Sequence, residues 1–330
     1  MKKNSVVGVN GFGRFGLHLM KFYIDNFKTC NYEIKYINDD TLNIDEVFNI
    51  ILNDKYVNFN KIKVLKEGDY LSFLQPDGYS HKILYSNNSS KEIPWTGDVD
   101  YFFECSGKHT IKKSSLKFLK GKTKRVIISA TSWDCDSTLV YGFNHKNLND
   151  SDKIISYGSC TVNAYVPLAN YFNSKYGIIE SDVNVIHNIQ EYRLMDNYTL
   201  NRKFCTLEKS GVNMLPFLKD KFNVNYTVIP YDGISTIDFR FKMDKSMNKD
   251  KFIAELKESI NNGELKDLYG IDKADIGPEV YNCTRFSTVF IEDSIKVLNN
   301  NVYLFGYFDN ENSVNRYFDL TKYIVSQDSK

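Results

Sequence analysis

The chain has 330 residues, 42% of them hydrophobic and 25% charged, and a formal net charge of +1 at neutral pH. That length accommodates two cores, and the near-zero charge gives no basis for a nucleic-acid or membrane surface. No segment approaches the roughly 20 apolar residues of a membrane helix, and Met1-Lys2-Lys3-Asn4-Ser5 runs straight into a strand pattern, so no secretory leader is expected.

Ser5 to Asn10 is a short apolar strand pattern. It runs into Gly11-Phe12-Gly13-Arg14-Phe15-Gly16, and Leu17 to Tyr23 follows with helical spacing. Strand, glycine turn and helix in this order form the fingerprint of a dinucleotide site, in which the glycines let backbone approach a pyrophosphate seated on the helix N-terminus. A second strand pattern, Glu33 to Asn38, ends at Asp39. A carboxylate there can accept from both ribose hydroxyls and repels a 2′-phosphate, so NAD is expected over NADP. The bland reading is a glycine turn of another α/β fold, with Asp39 in a solvated loop. Between about Tyr56 and Trp95 the pattern changes to short alternating strands and turns, read as a β-rich insertion. Val99 to Cys105 returns to a buried strand and ends at Ser106-Gly107, small enough to lie beside a cofactor, and Lys124 to Ser129 is the next strand. Parallel strands with helical crossovers predict a doubly wound sheet.

Lys153 to Ser156 reads as a strand and Thr161 to Phe172 as a helix, with Ser159-Cys160-Thr161-Val162-Asn163 at the junction. A thiol at a helix start meets free N–H groups and the positive end of the helix dipole, which favour its reactive thiolate form. The other cysteines, at 30, 105, 135, 205 and 283, are scattered without a CxxC pair. Neither a disulfide framework nor a metal site is expected, and a cytoplasmic location is. Further strands are read at Asp182 to Ile189, Tyr226 to Pro230, Ser235 to Met243 and Thr284 to Ile291. From the residues alone, His187 reads better as a satisfied core histidine than as a base. His18, His81, His109 and His145 are read as structural or exposed.

The segments Val9 to Arg14, Ile37-Asn38-Asp39, Lys124 to Ala130, Ile154 to Asn163 and Phe308-Asp309-Asn310-Glu311 stand in one order over nearly the whole length. In that order they resemble the glyceraldehyde-3-phosphate dehydrogenase family. The resemblance implies an α/β subunit with a Rossmann-like NAD-binding domain over 1–158, onto which a C-terminal helix (312–328) packs, and an α+β catalytic domain over 159–311 with a mixed or antiparallel sheet. It implies that Cys160 is a nucleophile that forms a thiohemiacetal and then a thioester, and that His187 is its base. It implies that Asn310 holds the nicotinamide carboxamide, that Ser159 and Thr161 hydrogen-bond an attacking phosphate or water, and that the protein is a homo-oligomer, tetramer or dimer. Backbone N–H of Cys160, with Asn163, is a candidate oxyanion site.

Three departures stand out. The family's threonine three residues after the catalytic histidine is Gln190 here. Its phosphate-binding arginine, two residues before a proline, is Val228. The segment between His187 and Val228 is shorter than the family's and lacks its Ser-Thr-Gly-Ala stretch, for which Cys205-Thr206 is a partial stand-in. Losing a bidentate arginine removes one of the stronger polar contacts to a phosphate. A different aldehyde is therefore expected, with Gln190, Arg193 and Thr206 joining Ser159 and Thr161 as substrate residues and Arg202, Lys203 and Lys209 as further candidate cations. An authentic glyceraldehyde-3-phosphate or erythrose-4-phosphate dehydrogenase with a remodelled anion site, and a non-catalytic NAD-binding paralogue, stay open. So does release of the thioester by phosphate or by water.

Overall fold

A computed structural model describes residues 5–59, 61–188, 201–231, 233–308 and 310–330. The chain forms two compact units, 1–158 with 317–330, and 159–316.

In the first unit, β1 (Ser5–Asn10), α1 (Arg14–Asn26), β2 (Tyr32–Asn38) and α2 (Ile44–Asn53) come first. β3 (Lys63–Glu67), β4 (Tyr70–Leu74), β5 (Ser80–Ser86), β6 (Tyr101–Glu104), α3 (Lys112–Ser115), β7 (Arg125–Ile128), β8 (Ser137–Thr138) and β9 (Ile154–Ser156) follow. Among the described residues they build a nine-stranded sheet in the order β3-β4-β5-β2-β1-β6-β7-β9-β8. The pairs from β5 through β2, β1, β6, β7 and β9 to β8 are parallel, giving the Rossmann-like architecture expected. The supposed insertion is the antiparallel edge of this same sheet, because β5 pairs with β2 and β4 pairs with both β3 and β5.

Of the parallel strands, β6, β7 and β9 are buried at every position. This is the signature of a parallel sheet covered on both faces. Val6, Ile93, Trp95, Val99, Phe102, Phe118 and Val126 form one core cluster. A second group is aromatic. Tyr317 meets Phe15, Phe103 and Tyr157 edge-on with centroids 5.2, 5.5 and 5.6 Å away. Its hydroxyl donates to the Ile127 carbonyl at 2.8 Å.

In the second unit, α4 (Cys160–Tyr176), β10 (Ile178–Asn188), β11 (Asn201–Arg202), α5 (Thr206–Met214), β12 (Phe222–Ile229) and β13 (Ser235–Met243) come first. α6 (Lys249–Asn261), β14 (Tyr269–Asp272), β15 (Thr288–Ile291), β16 (Lys296–Leu298), β17 (Asn301–Phe308) and α7 (Asn310–Gln327), whose residues from Tyr317 belong to the first unit, complete the chain. Among the described residues the sheet runs β11-β12-β10-β13-β17-β15-β14, with β16 beside β17. It is mixed, as expected: β10 is parallel to β12 and antiparallel to β13. The strand expected from Thr284 starts only at Thr288, and the helix expected from Thr161 starts at Cys160 and runs on to Tyr176.

α4 carries Pro167 in its interior, which removes one helix donor and disturbs the turn before it. The buried Tyr269 hydroxyl repairs the ladder there. It accepts from Leu168 N at 3.1 Å and donates to the Ala164 carbonyl at 3.0 Å. Tyr165, on the same helix, stacks on Phe222 at 4.7 Å and on Phe241 at 5.8 Å. This packing anchors α4 to the sheet.

Candidate active site

The glycine turn of the first unit is shaped by close approach. Gly11 has φ of +103°, and a Cβ there would lie 2.5 Å from Ser106 N. A Cβ on Gly16 would lie 2.2 Å from the Gly11 carbonyl oxygen. Neither position tolerates a side chain. At Gly13, the N-cap of α1, a Cβ would meet nothing within 4 Å. The helix start has no side-chain cap and no acid in its first turn, so its donors and its dipole suit an anionic group approaching over Gly13.

Asp39 is committed more fully than its sequence position indicates. Its Oδ2 accepts from Phe12 N at 2.7 Å, and its Oδ1 accepts from Thr41 N at 2.9 Å and Leu42 N at 3.0 Å. A carboxylate has about four acceptor positions. Asp39 therefore ties the glycine turn to the end of β2 and keeps about one position for a hydroxyl, rather than two. Beside it, Asn38 donates to Asn10 Oδ1 at 2.9 Å, and Asn10 donates to Glu104 Oε2 at 2.8 Å. Ser106 donates through N at 2.9 Å and through Oγ to Glu104 Oε1. Burial pushes the Glu104 carboxyl up to about 7. Gly107, at φ +70°, has open space where a Cβ would sit. The side chains of Arg14 and Phe15 make contacts within the protein. Arg14 pairs with Asp54 and lies 3.0 Å from His18 Nε2, and Phe15 packs edge-on against Tyr157 and Tyr317.

The candidate reactive groups of the second unit gather at the start of α4. Ser159 is its N-cap, with Oγ accepting from Val162 N at 3.3 Å. Cys160 is the first helical residue and is buried. His187 lies near the end of β10, which β12 and β13 flank on either side, and its Nε2 is 3.7 Å from Cys160 Sγ. Its Nδ1 is 2.7 Å from the Asn188 carbonyl oxygen. The imidazole is bordered by the rings of Tyr226 at 5.6 Å and Phe308 at 5.8 Å. Three hydroxyls meet at the same helix start: Ser159 Oγ is 3.2 Å from Thr161 Oγ1 and accepts from Thr206 Oγ1 at 3.2 Å. Thr206 opens α5, so the cluster sits at two helix starts.

Ser159, Cys160, Thr161, His187 and Thr206 thus come together. Asn163 is buried on the same helix end, its Nδ2 donating to the Ser159 carbonyl at 2.9 Å. Val228 is buried and in register with His187 across the β10–β12 pair. Gln190 and Arg193 lie outside the described residues. Asn310 opens α7, with its side chain likewise outside them. Of the further candidate cations, the Arg202 guanidinium donates to Asn225, and Lys203 and Lys209 are exposed. Sequence reasoning missed Asn188, Tyr226, the ring of Phe308, and the contact of Cys205 Sγ with Thr161 Oγ1 at 3.5 Å. The first three depend on register between strands far apart in the chain, the last on the packing of two helix starts. Among the described residues no cluster of histidine, cysteine or acidic side chains could hold a metal, and no helix is long and apolar enough to cross a membrane.

No family model matches the chain. Curated relatives match from end to end. Glyceraldehyde-3-phosphate dehydrogenase 1 of Bacillus cereus is 28% identical over 346 residues, covering 97% of this chain and 98% of its own. Glyceraldehyde-3-phosphate dehydrogenase 3.1 of Caenorhabditis briggsae is also 28% identical, over 99% of this chain and all of its own length. The cytosolic glyceraldehyde-3-phosphate dehydrogenase of Taxus baccata is 28% identical over 92% of each. Similarity of that extent, on a Rossmann-like sheet and a second mixed sheet bearing a cysteine–histidine pair, supports this chain as a divergent member of the glyceraldehyde-3-phosphate dehydrogenase family.

Proposed function

We propose that the protein is an NAD-dependent oxidoreductase that oxidises an aldehyde through a thioester on Cys160, with His187 as base. The observation that carries this reading is the 3.7 Å approach of His187 Nε2 to Cys160 Sγ. Because a carbonyl oxygen only accepts, the Nδ1 contact leaves the proton on Nδ1 and a lone pair on Nε2. That lone pair takes the thiol proton, and the thiolate attacks the aldehyde carbon. The new S–C bond pushes the carbonyl pair onto oxygen, which takes the proton back from His187. Withdrawal of that hydroxyl proton by His187 then drives the C–H bond to leave with its electron pair and yields the thioester. NAD, when bound, supplies the acceptor for this hydride. Gly11, Gly13, Gly16, Asp39, Ser106, Gly107 and Asn310 would hold it.

Release is assigned to inorganic phosphate. Three hydroxyls at two helix starts suit a tetrahedral anion, held by Ser159, Thr161 and Thr206. Its oxygen attacks the acyl carbon, and Cys160 leaves as thiolate. Buried Val228 supports an aldehyde without the distal phosphate that an arginine would clamp. The names of the relatives favour a second reading, oxidation of glyceraldehyde 3-phosphate itself with the anion held by other groups. The same kinship supports a homo-oligomer, and the Taxus relative's name supports a cytoplasmic location.

The test incubates the protein with NAD and a panel of phosphorylated and unphosphorylated aldehydes, with and without inorganic phosphate, following NADH. The expected result is phosphate-dependent turnover that prefers an unphosphorylated aldehyde. A glyceraldehyde 3-phosphate preference installs the second reading, and no turnover of any aldehyde removes both.

A further inference from the structure

The imidazole of His187 is oriented by the peptide carbonyl of its own neighbour. Asn188 is still in register with Ile229 of β12, but backbone pairing of β10 with β13 ends two residues earlier, at Ile186 with Thr236. Beyond that pair the β13 ladder no longer holds its side of the Asn188 peptide, so something else must.

That role falls to side chains. Asn188 N donates to Ser235 Oγ at 3.0 Å, and the same hydroxyl donates to Asn188 Oδ1 at 3.0 Å. The two bonds close a ring that fixes the Asn188 side-chain torsions. Asn188 Nδ2 then donates to the Gly233 carbonyl at 2.5 Å, which fastens the ring to the turn entering β13. His187, Asn188 and Ser235 are all buried, Ser235 to 1% exposure. Water therefore offers no easy substitute for these bonds, and losing one would leave a partner unsatisfied.

We propose that Asn188, clamped by Ser235 and Gly233, is a positioning residue: it aims the carbonyl that holds the proton on His187 Nδ1 and so keeps Nε2 bare toward Cys160. The assignment rests on the thiol–imidazole reading given above and adds the device that sets its tautomer. An imidazole free to turn, or one protonated on Nε2, would not present a lone pair to the sulfur, and small misplacements of a reacting group cost large factors in rate.

The test uses the full chain and needs no substrate. The rate of Cys160 alkylation by iodoacetamide is followed from pH 5 to 9 in the native protein, His187→Asn, Asn188→Ala and the double variant, with mass spectrometry to identify the alkylated thiol. The expected result is a fall of roughly tenfold or more near neutral pH for each single variant, and no further fall when Asn188→Ala is added to His187→Asn. Ser235→Thr keeps the hydroxyl and should keep the native profile, whereas Ser235→Ala should follow Asn188→Ala. If His187→Asn leaves the profile unchanged, the thiol–imidazole pairing fails and the proposal falls with it. If His187→Asn lowers it but Asn188→Ala does not, or if the two effects simply multiply, the positioning role alone is overturned. A second measurement is independent of whether Asn188→Ala folds. Imidazole nitrogen NMR of the Cys160→Ser variant should show neutral His187 protonated on Nδ1, and protonation on Nε2 would refute the device.

Discussion

Cys160 and Glu104 are two buried ionisable groups with opposite tasks. In the proposed mechanism the thiol attacks the carbonyl carbon of a substrate, and Cys160→Ser should abolish NADH formation on every aldehyde the native protein oxidises while leaving NAD binding, followed by quenching of protein fluorescence, unchanged. Retained turnover in that variant would remove the thioester. Glu104 is a carboxyl kept dry beside the glycine turn, pushed up to about 7 by burial. Its folded value exceeds its unfolded one of about 4.5, so the stability it contributes is fully present at low pH and is lost as pH rises from about 4.5 through about 7. Unfolding free energies from urea titrations should therefore decline over that window, and Glu104→Gln should flatten the decline. An equal slope in both proteins would assign it to other groups. The glycine pattern and Cys160 were legible from the sequence because their chemistry is local. The partners of Asp39 and Glu104 were not, because they come from chain ends of three separate strands.

The elements place these groups through backbone geometry and helix repair. Gly16→Ala would drive a methyl to 2.2 Å from the Gly11 carbonyl and force the turn open. NAD affinity should drop by at least tenfold, a loss of about 1.4 kcal/mol, read by equilibrium titration. Gly13→Ala meets open space in the protein and acts only through the bound dinucleotide. α4 depends on Tyr269 for the rung that Pro167 disturbs. Tyr269→Phe leaves a buried N–H and a buried carbonyl short of a partner and should cost about 1–3 kcal/mol in chemical denaturation; a cost near zero would mean that the helix closes its own ladder. Strand and helix existence followed from apolar periodicity, yet α4 begins at Cys160, one residue before the expected start. Ser159 caps it, and a capping serine is indistinguishable in sequence from one that binds substrate.

Across the molecule, the chain's last residues complete the first unit's core. Arg125, at 3% side-chain exposure, donates to both Asp328 carboxylate oxygens, at 2.8 Å from Nε and 2.6 Å from Nη2. Removing one partner of a buried pair leaves the other charge uncompensated, which costs about 3 kcal/mol. Asp328→Ala should lower the melting temperature accordingly, and deletion of 317–330 should unfold the first unit, since Tyr317 leaves its aromatic neighbours. Native-like melting of the truncated chain would contradict this account.

The sequence by itself determined the class of fold, the dinucleotide turn and the candidate cysteine at a helix start, since each is written in neighbouring residues whose spacing sets their geometry. Only the tertiary structure decided what surrounds them. It spent most of Asp39 on backbone N–H groups, turned the Arg14 guanidinium to Asp54, gathered Thr206 to Ser159 across 47 positions, and set His187 opposite Cys160 with Asn188 behind it. These pairings depend on strand register and helix packing, which sum over many weak contacts from distant parts of the chain, and no short motif encodes them.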